Sequence, residues 1–280
     1  YIKGPDFPTR ATIYGTAGVY AAYASGKGHI TVRAKAEVQQ EHHRIIITEI
    51  PYMVNKSQLV KSMADLVKEK RVEGITEIRD ESGRAGMRIV VEFRRDTNGQ
   101  VILNQLYEFT QLQDTCAVNM IALVDNQPKL LGLLDILRYY IAHQQDVISR
   151  RVRFDLDEAL RRAHILEGQK IAIDFIDEVI ALIRASQSVV DGRDGLMERF
   201  GLSEAQAQAI VEMTLGKLAG LERIKIEEEL AEKKKLIEEL RAILADEGRI
   251  HNIIKEEMLE IKRRFGDERR TEICEADNEI

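Results

Sequence analysis

Apolar and polar residues alternate strictly along "HITVRAKAEV". Ile30, Val32, Ala34, Ala36 and Val38 fall on one side of an extended chain, and Thr31, Arg33, Lys35 and Glu37 on the other. That period of two predicts a half-buried strand. "RIIITEI" predicts a second strand, with "QQEHH" as the hairpin loop between them. After Pro51 the period changes. Leu59, Met63, Leu66 and Val67 recur at helical spacing, Asn55 is a candidate N-cap, and Gly74 is the expected stop. "ITEIRDESGRAGMRIVVEF" predicts strand, glycine-rich turn and strand, and "GQVILNQLYEF" a short helix. "CAVNMIALVDNQPKLL" predicts a strand pair about an Asn-Gln-Pro turn. Strands so close in sequence imply an α+β domain over residues 1–131, mixed but mostly antiparallel.

The rest of the chain carries a helical period. Leu134, Leu137, Ile141, Ile148 and Val152 form a stripe with no proline to interrupt it, continued past Phe154 and Leu156 by Leu160, Ala163 and Leu166. A second stripe runs through Ile226, Leu230, Ile237, Leu240 and Leu244. After a slip at Asp246-Glu247-Gly248 it resumes with Ile250, Ile254, Met258, Ile261 and Phe265. Narrow stripes favour helices pairing along a seam. As one helix, residues 222–265 would extend roughly 66 Å, too far to be buried along its length in a chain of this size. The expected architecture is therefore a long antiparallel coiled-coil arm, with residues 132–168 ascending and 222–266 returning. A small helical knob at 169–221 joins them, and 267–280 forms a tail. Within the knob Ser203 is a candidate N-cap. Ala209, Ile210, Met213, Leu215 and Leu218 supply an apolar surface that either caps the arm or meets a second copy.

Composition narrows the function. With 44% hydrophobic and 31% charged residues, the 280-residue chain is able to bury a core. No apolar run approaches the ~18 residues that span a bilayer. Two cysteines, Cys116 and Cys274, are too few and too distant for a disulfide framework or a zinc site, which points to a reducing cytoplasm. Walker, zincin, nucleophile-elbow and paired C-x-x-C patterns are all absent from the sequence. "GTAGVYAAYASGKG" does not fit a dinucleotide fingerprint. His42-His43 beside Glu41 can in principle bind a metal, but adjacent histidines in a polar turn read more readily as solvated loop residues. Residues 222–270 hold 14 acidic and 13 basic side chains, the balance of a solvated helix face. No catalytic, cofactor or metal site is expected within the chain. At the start, the prolines of "GPDFPT" read as a loop between structured parts, with no signal-peptide pattern before it.

Net charge of -6 argues against a wholly basic nucleic-acid binder but leaves room for a local patch. Between Gly26 and Lys61 six Lys/Arg face three acidic residues, with three histidines besides. Lys27, His29, Arg33 and Lys35 cluster at one turn and the following strand, and Arg33 and Lys35 share the side predicted to face solvent. Cations on a rigid sheet suit a phosphate backbone. An ordinary solvated strand face has the same pattern.

Longer motifs carry a resemblance. "GPDFPT" at 4–9, "EIPYMVNKSQLV" at 49–60, "VKEKRVEGITEIRDES" at 67–82, "GMRIVVEFRRD" at 86–96, "NMIALVDNQPK" at 119–129 and "RRAHILEG" at 161–168 resemble the tower region of type IIA topoisomerase A subunits. "SEAQAQAIVEM" and "FGDERRTEI" at 265–273 resemble their coiled-coil and gate region. The closing motif favours the gyrase branch over topoisomerase IV. Two departures stand out: Thr214 replaces the family's arginine in Met-Arg-Leu, and Ala219 replaces the threonine of Thr-Gly-Leu-Glu.

The resemblance implies that the DNA-cleaving tyrosine lies in a winged-helix domain before "GPDFPT", in an Arg-Tyr-Thr context. None of the eight tyrosines here has that context, and Arg138-Tyr139-Tyr140 matches it only superficially. It also implies a DNA-wrapping β-pinwheel after Ile280. The implied activity is ATP-dependent double-strand passage that introduces negative supercoils. ATP and Mg²⁺ would be bound by a B subunit in an A2B2 heterotetramer. The tower would hold bent double-stranded DNA, and paired knobs would close an exit gate. Two other classes remain open on the residues alone: a coiled-coil scaffold without DNA affinity, and a nucleic-acid-binding module without strand passage.

Overall fold

A computed structural model describes residues 2–214 and 220–275, apart from the side chains of 220–222. Leu215 and Leu218 thus lie outside the described residues. The chain divides into two compact units, residues 1–140 with 266–280, and residues 141–265.

The first unit is α+β. In chain order it contains β1 (Thr12–Tyr14), α1 (Ala17–Ser25), β2 (Lys27–Arg33), β3 (Lys35–Gln39), β4 (Arg44–Glu49), α2 (Lys56–Lys68), β5 (Ile75–Asp80) and β6 (Ile89–Phe93). Then come α3 (Gly99–Phe109), β7 (Gln113–Asn119), β8 (Ile121–Val124) and β9 (Gln127–Leu130). The chain's last described strand, β10 (Glu272–Cys274), returns to this unit.

The alternating run that predicts one strand is in fact two. It breaks at the buried Ala34, whose N–H donates to Leu112 O at 2.7 Å. β2 lies in a sheet of order β10-β1-β2-β7 and β3 in another of order β3-β4-β6-β5. Alternation survives the break because both sheets bury the same parity of residues. The expected β3–β4 hairpin forms, and its loop is a 3₁₀ turn over Gln40–His42 closed by His43 in a left-handed conformation. All pairings in these sheets are antiparallel except β1 with β10, which is parallel.

Asn55 caps α2 as its sequence predicts, accepting from Gln58 N–H at 3.0 Å. Gly74 does not end this helix. Lys68 is its last residue, and Lys70 takes the left-handed conformation just beyond (φ 57°). Helices α2 and α3 cover the second sheet, burying Leu59, Met63, Ile102 and Leu106 with Ile45, Ile47, Ile89 and Val91. A separate cluster of Ile13, Val19, Ile30 and Val32 joins α1 to the first sheet. That approach is close: a Cβ on Gly28 would meet Ala22 Cβ at 2.8 Å, and one on Gly18 would strike His29 O. The turn between β8 and β9 is Asp125-Asn126, both left-handed, rather than Asn-Gln-Pro. Pro128 instead sits within β9, opposite Leu123.

Helix α4 (Leu133–Asp174) runs 42 residues, about 63 Å at the α-helical rise, and all four prolines of the chain lie before it. α5 (Ile176–Ala185), α6 (Val189–Phe200), α7 (Glu204–Val211), α8 (Gly220–Ala245) and α9 (Glu247–Phe265) follow. The second stripe is therefore two helices. Asp246 separates them, and its carboxylate accepts from Gly248 N–H at 2.8 Å. Ile148, Val152, Ala159, Ala163 and Leu166 of α4 pack with Ile226, Leu230, Ile237, Leu240, Ile250 and Ile254. Cross-helix pairs flank this seam: Arg151 with Glu257 (2.5 Å), Arg162 with Glu229 (2.6 Å) and Arg223 with Asp174 (2.7 Å). As one residue number rises the other falls, so the packed stretches run in opposite directions. The stripe's outer members do not take part: Leu134, Ile141, Ile261 and Phe265 are exposed.

Ser203 caps α7 in a capping box with Gln206. Gln206 is buried and donates to His164 O at 2.7 Å, and a Cβ on Gly168 would meet Gln206 Cβ at 2.7 Å. This glycine lets α7 lie directly against α4.

Candidate nucleic-acid interface

β2 positions the basic cluster. Its even-numbered residues Ile30 and Val32 are buried, so Lys27, His29, Thr31 and Arg33 share the opposite face. Register with β7 sets Asn119, Ala117, Thr115 and Gln113 beside them in turn. Lys27, His29, Thr115, Ala117 and Asn119 are exposed. From Lys27 to Arg33 the strand extends about 20 Å, or about six base-pair steps of a duplex at ~3.4 Å each.

The four basic residues predicted to act together are in different circumstances. Lys27 and His29 stand open on the face. Arg33 is half-buried rather than free in solvent: its guanidinium stacks 3.6 Å from the Tyr14 ring centre, lies 5.1 Å from that of Tyr107, and donates to Gln113 Oε1. Lys35 begins the next sheet, and its Nζ meets Glu272 Oε1 at 2.5 Å. That carboxylate raises the Lys35 pKa, so the ammonium stays charged but already has a counter-ion. Burial pushes the Tyr107 phenol up, with Arg33 opposing, and the hydroxyl donates to Ala34 O at 3.2 Å. Tyr14, Tyr107 and Glu272 carry no signal in a strand pattern, because they reach the cluster from three other elements.

The edge beyond β1 is closed by a polar clasp between two motifs 261–265 residues apart. The Asp6 carboxylate accepts from Thr271 N–H at 2.8 Å and Arg270 N–H at 3.0 Å. The buried Thr271 hydroxyl accepts from Phe7 N–H at 2.7 Å and donates to Arg10 O at 3.0 Å. Arg269 donates to the carbonyls of Gly4 and Pro5. The Thr271 and Arg270 amides hold the Asp6 carboxyl below its usual range, against the opposing effect of desolvation.

In the helical unit Ile210 is buried in its own cluster with Val179, Leu196 and Ala207. Ala209 is half-buried. Met213, also half-buried, lines an apolar cavity of about 360 Å³ with Ile176, Val179, Ile180, Ile183 and Val211. His42 is exposed, whereas His43 packs edge-on against Phe93 at 6.1 Å.

Known proteins are similar to this sequence along its whole length. A family model for the A subunit of DNA gyrase/topoisomerase IV matches residues 1–259. The DNA gyrase A subunit of Clostridium acetobutylicum is 58% identical over 100% of this chain and 34% of its own length. That of Halalkalibacterium halodurans is 53% identical over 99% of the chain and 34% of its length. That of Helicobacter pylori is 45% identical, again over 99% and 34%. The chain thus spans about a third of the length of these relatives. The match runs nearly end to end, and the chain belongs to the family of DNA gyrase/topoisomerase IV A subunits.

Proposed function

We propose that the chain is the tower and coiled-coil portion of the A subunit of an ATP-dependent type IIA topoisomerase, and of gyrase rather than topoisomerase IV. The 58% identity to a gyrase relative, held along the whole chain, carries this reading. In it the complete protein pairs with a B subunit to form an A2B2 heterotetramer, and the B subunit binds ATP and Mg²⁺. The cleaving tyrosine belongs to a part of the polypeptide outside these residues. The chain's own work is mechanical. Lys27 and His29 on the β2 face hold the flank of a bent duplex through its phosphates, offsetting a bending cost of order 1–6 kcal/mol. The antiparallel helices form an arm, and the partly exposed Ala209 and Met213 of the knob contribute to a gate with a second copy, whereas Ile210, expected to share that surface, is buried in the knob's own cluster.

Support for the DNA contact is geometric: two exposed cationic or ionisable side chains on a rigid, polar sheet face. Replacing Lys27 by Ala should weaken duplex binding alike across sequences and flatten the log–log salt dependence by about one unit, the release expected for one phosphate contact. Lys35→Ala should do less, because Glu272 already neutralises that charge. Unchanged affinity and salt slope in both variants would end the assignment of this face to DNA. For the gate, Met213→Glu sets like charges across a symmetric contact. Sedimentation should then turn a dimer of the parent chain into monomer, and a variant that still dimerises would move the interface elsewhere.

A further inference from the structure

The β8–β9 hairpin turns its apolar side outward. Its register pairs Ile121 with Leu130 and Leu123 with Pro128, which sets all four on one face. Ile121 is 59% exposed, Leu123 74% and Leu130 44%, and Pro128 is exposed as well. The other face carries Ala122, Val124, Gln127 and Lys129. Val124 is buried, and Lys129 Nζ lies 6.0 Å from the Tyr139 ring centre. A one-sided antiparallel sheet ordinarily buries its apolar face and wets its polar one. Here the order is reversed.

No residue of β8 or β9 belongs to any of the four buried clusters among the described residues. Yet the ribbon is well specified. Consecutive left-handed residues Asp125 and Asn126 suit the tight turn that matches strand twist. A backbone bond from Met120 N–H to Gly26 O (2.8 Å) ties its base to the turn before β2, and one from Leu131 N–H to Met120 O (3.0 Å) closes the base of the ribbon. A two-stranded ribbon is marginal by itself, so a persistent apolar face on one calls for a cover.

We propose that this face is covered by another segment of the same A-subunit polypeptide, outside these 280 residues. The inference rests on the reading that the chain is part of a longer A subunit, since it spans 34% of its relatives. A contact within one polypeptide suits so small a patch. Four side chains fall far short of the roughly 20–30 residues a side that hold two separate molecules together. A tethered segment needs much less, because the linking chain supplies a high effective concentration.

The test compares this chain with the full-length A subunit that contains it. A Leu123→Cys variant of each is labelled with a maleimide, and modification at position 123 is followed by peptide mass spectrometry. Hydrogen exchange over residues 121–130 of the unaltered proteins gives the same comparison without a substitution. With no other component added, labelling in the full-length protein should be about tenfold slower, with slower exchange, as for a site reached by local opening. Equal rates in the two proteins would overturn the proposal. So would protection that appears only as the concentration of the short chain rises, which marks a second copy, or only on adding a B subunit or duplex DNA. Supercoiling by the unaltered full-length protein with its B subunit is measured in parallel. Its absence would sink the proposed function and leave the labelling comparison intact.

Discussion

The two units close their cores in different ways. In the α+β unit, helices stand against a sheet, and Ile45, Ile47, Met63, Ile89 and Leu106 reach 0% exposure. In the helical unit, every buried seam residue contributed by α8 and α9 keeps a little solvent: Ile226, Leu230, Ile237, Leu240, Ile250 and Ile254 all lie at 6–8%. A helix laid on a sheet closes a side chain in from all sides, whereas a two-helix seam is open along both flanks. Charged pairs such as Arg162 with Glu229 line those flanks, and their aliphatic stems shield the seam without sealing it. The seam is thus closed on its α4 side, where Ile148 and Leu166 are 1% and 0% exposed, and left slightly open on the α8–α9 side, whereas the sheet core is closed on both.

Core truncation should expose this difference most strongly. Ile47→Ala should destabilise its unit by about 2–5 kcal/mol, because the surrounding sheet and helices cannot collapse into the space. Ile237→Ala should cost nearer the bottom of that range of about 2–5 kcal/mol, since water and neighbouring stems can fill a half-open seam. Urea unfolding with hydrogen exchange resolved for each unit measures both, and equal costs would show that the seam is as tightly closed as the sheet core.

A smaller effect belongs to the clasp that ties the two ends of the α+β unit together. Thr271→Val keeps the shape but strands the Phe7 N–H, at a cost of about 1–3 kcal/mol for an unsatisfied buried donor. Hydrogen exchange at Gly15 and Glu272, whose amides donate to Cys274 O and Ala11 O, should accelerate while α4 is unaffected. The same clasp should respond to acid. Asp6 has a folded pKa below its unfolded value, so its contribution is complete above about pH 4 and is lost as pH falls through the lowered folded value. Protection of these two amides, measured against the intrinsic exchange rate at each pH, should therefore fall selectively below about pH 4, and that fall should be absent in Asp6→Asn. A pH-independent clasp would remove the carboxylate from the account.

The smallest effect is expected at the seam's flank. Arg162 and Glu229 form a bidentate pair at 2.6 and 2.7 Å, but both side chains are more than a third exposed. A double-mutant cycle should give a coupling of about 0.2–1 kcal/mol, reduced by salt. A coupling several times larger would mean that the helical unit depends on its charges more than on its seam.

Much of the fold is legible in the residue pattern. Asn55 and Ser203 cap their helices and Ile148 to Leu166 form the buried stripe of α4, whereas the returning segment, expected as one helix, divides at Asp246. The candidate interface is legible only in part. Lys27 and His29 stand exposed, but Arg33 is held by two tyrosines and Lys35 by a carboxylate 237 residues away. Alternation says that a side chain leaves the apolar face, and nothing about what waits on the other.

Period and capping are set by local covalent geometry, so the sequence by itself determined the type of most helices and strands and which side of each is apolar, but not every boundary. It also determined the family, through long motifs in fixed order. Only the tertiary structure decided that "HITVRAKAEV" serves two sheets, that "GPDFPT" clasps "RRTEI" around Asp6 and Thr271, and that the β8–β9 ribbon faces its apolar side outward. Each of these depends on which distant segment arrives as a partner, and chain position and residue pattern leave that choice to the packing of the whole unit.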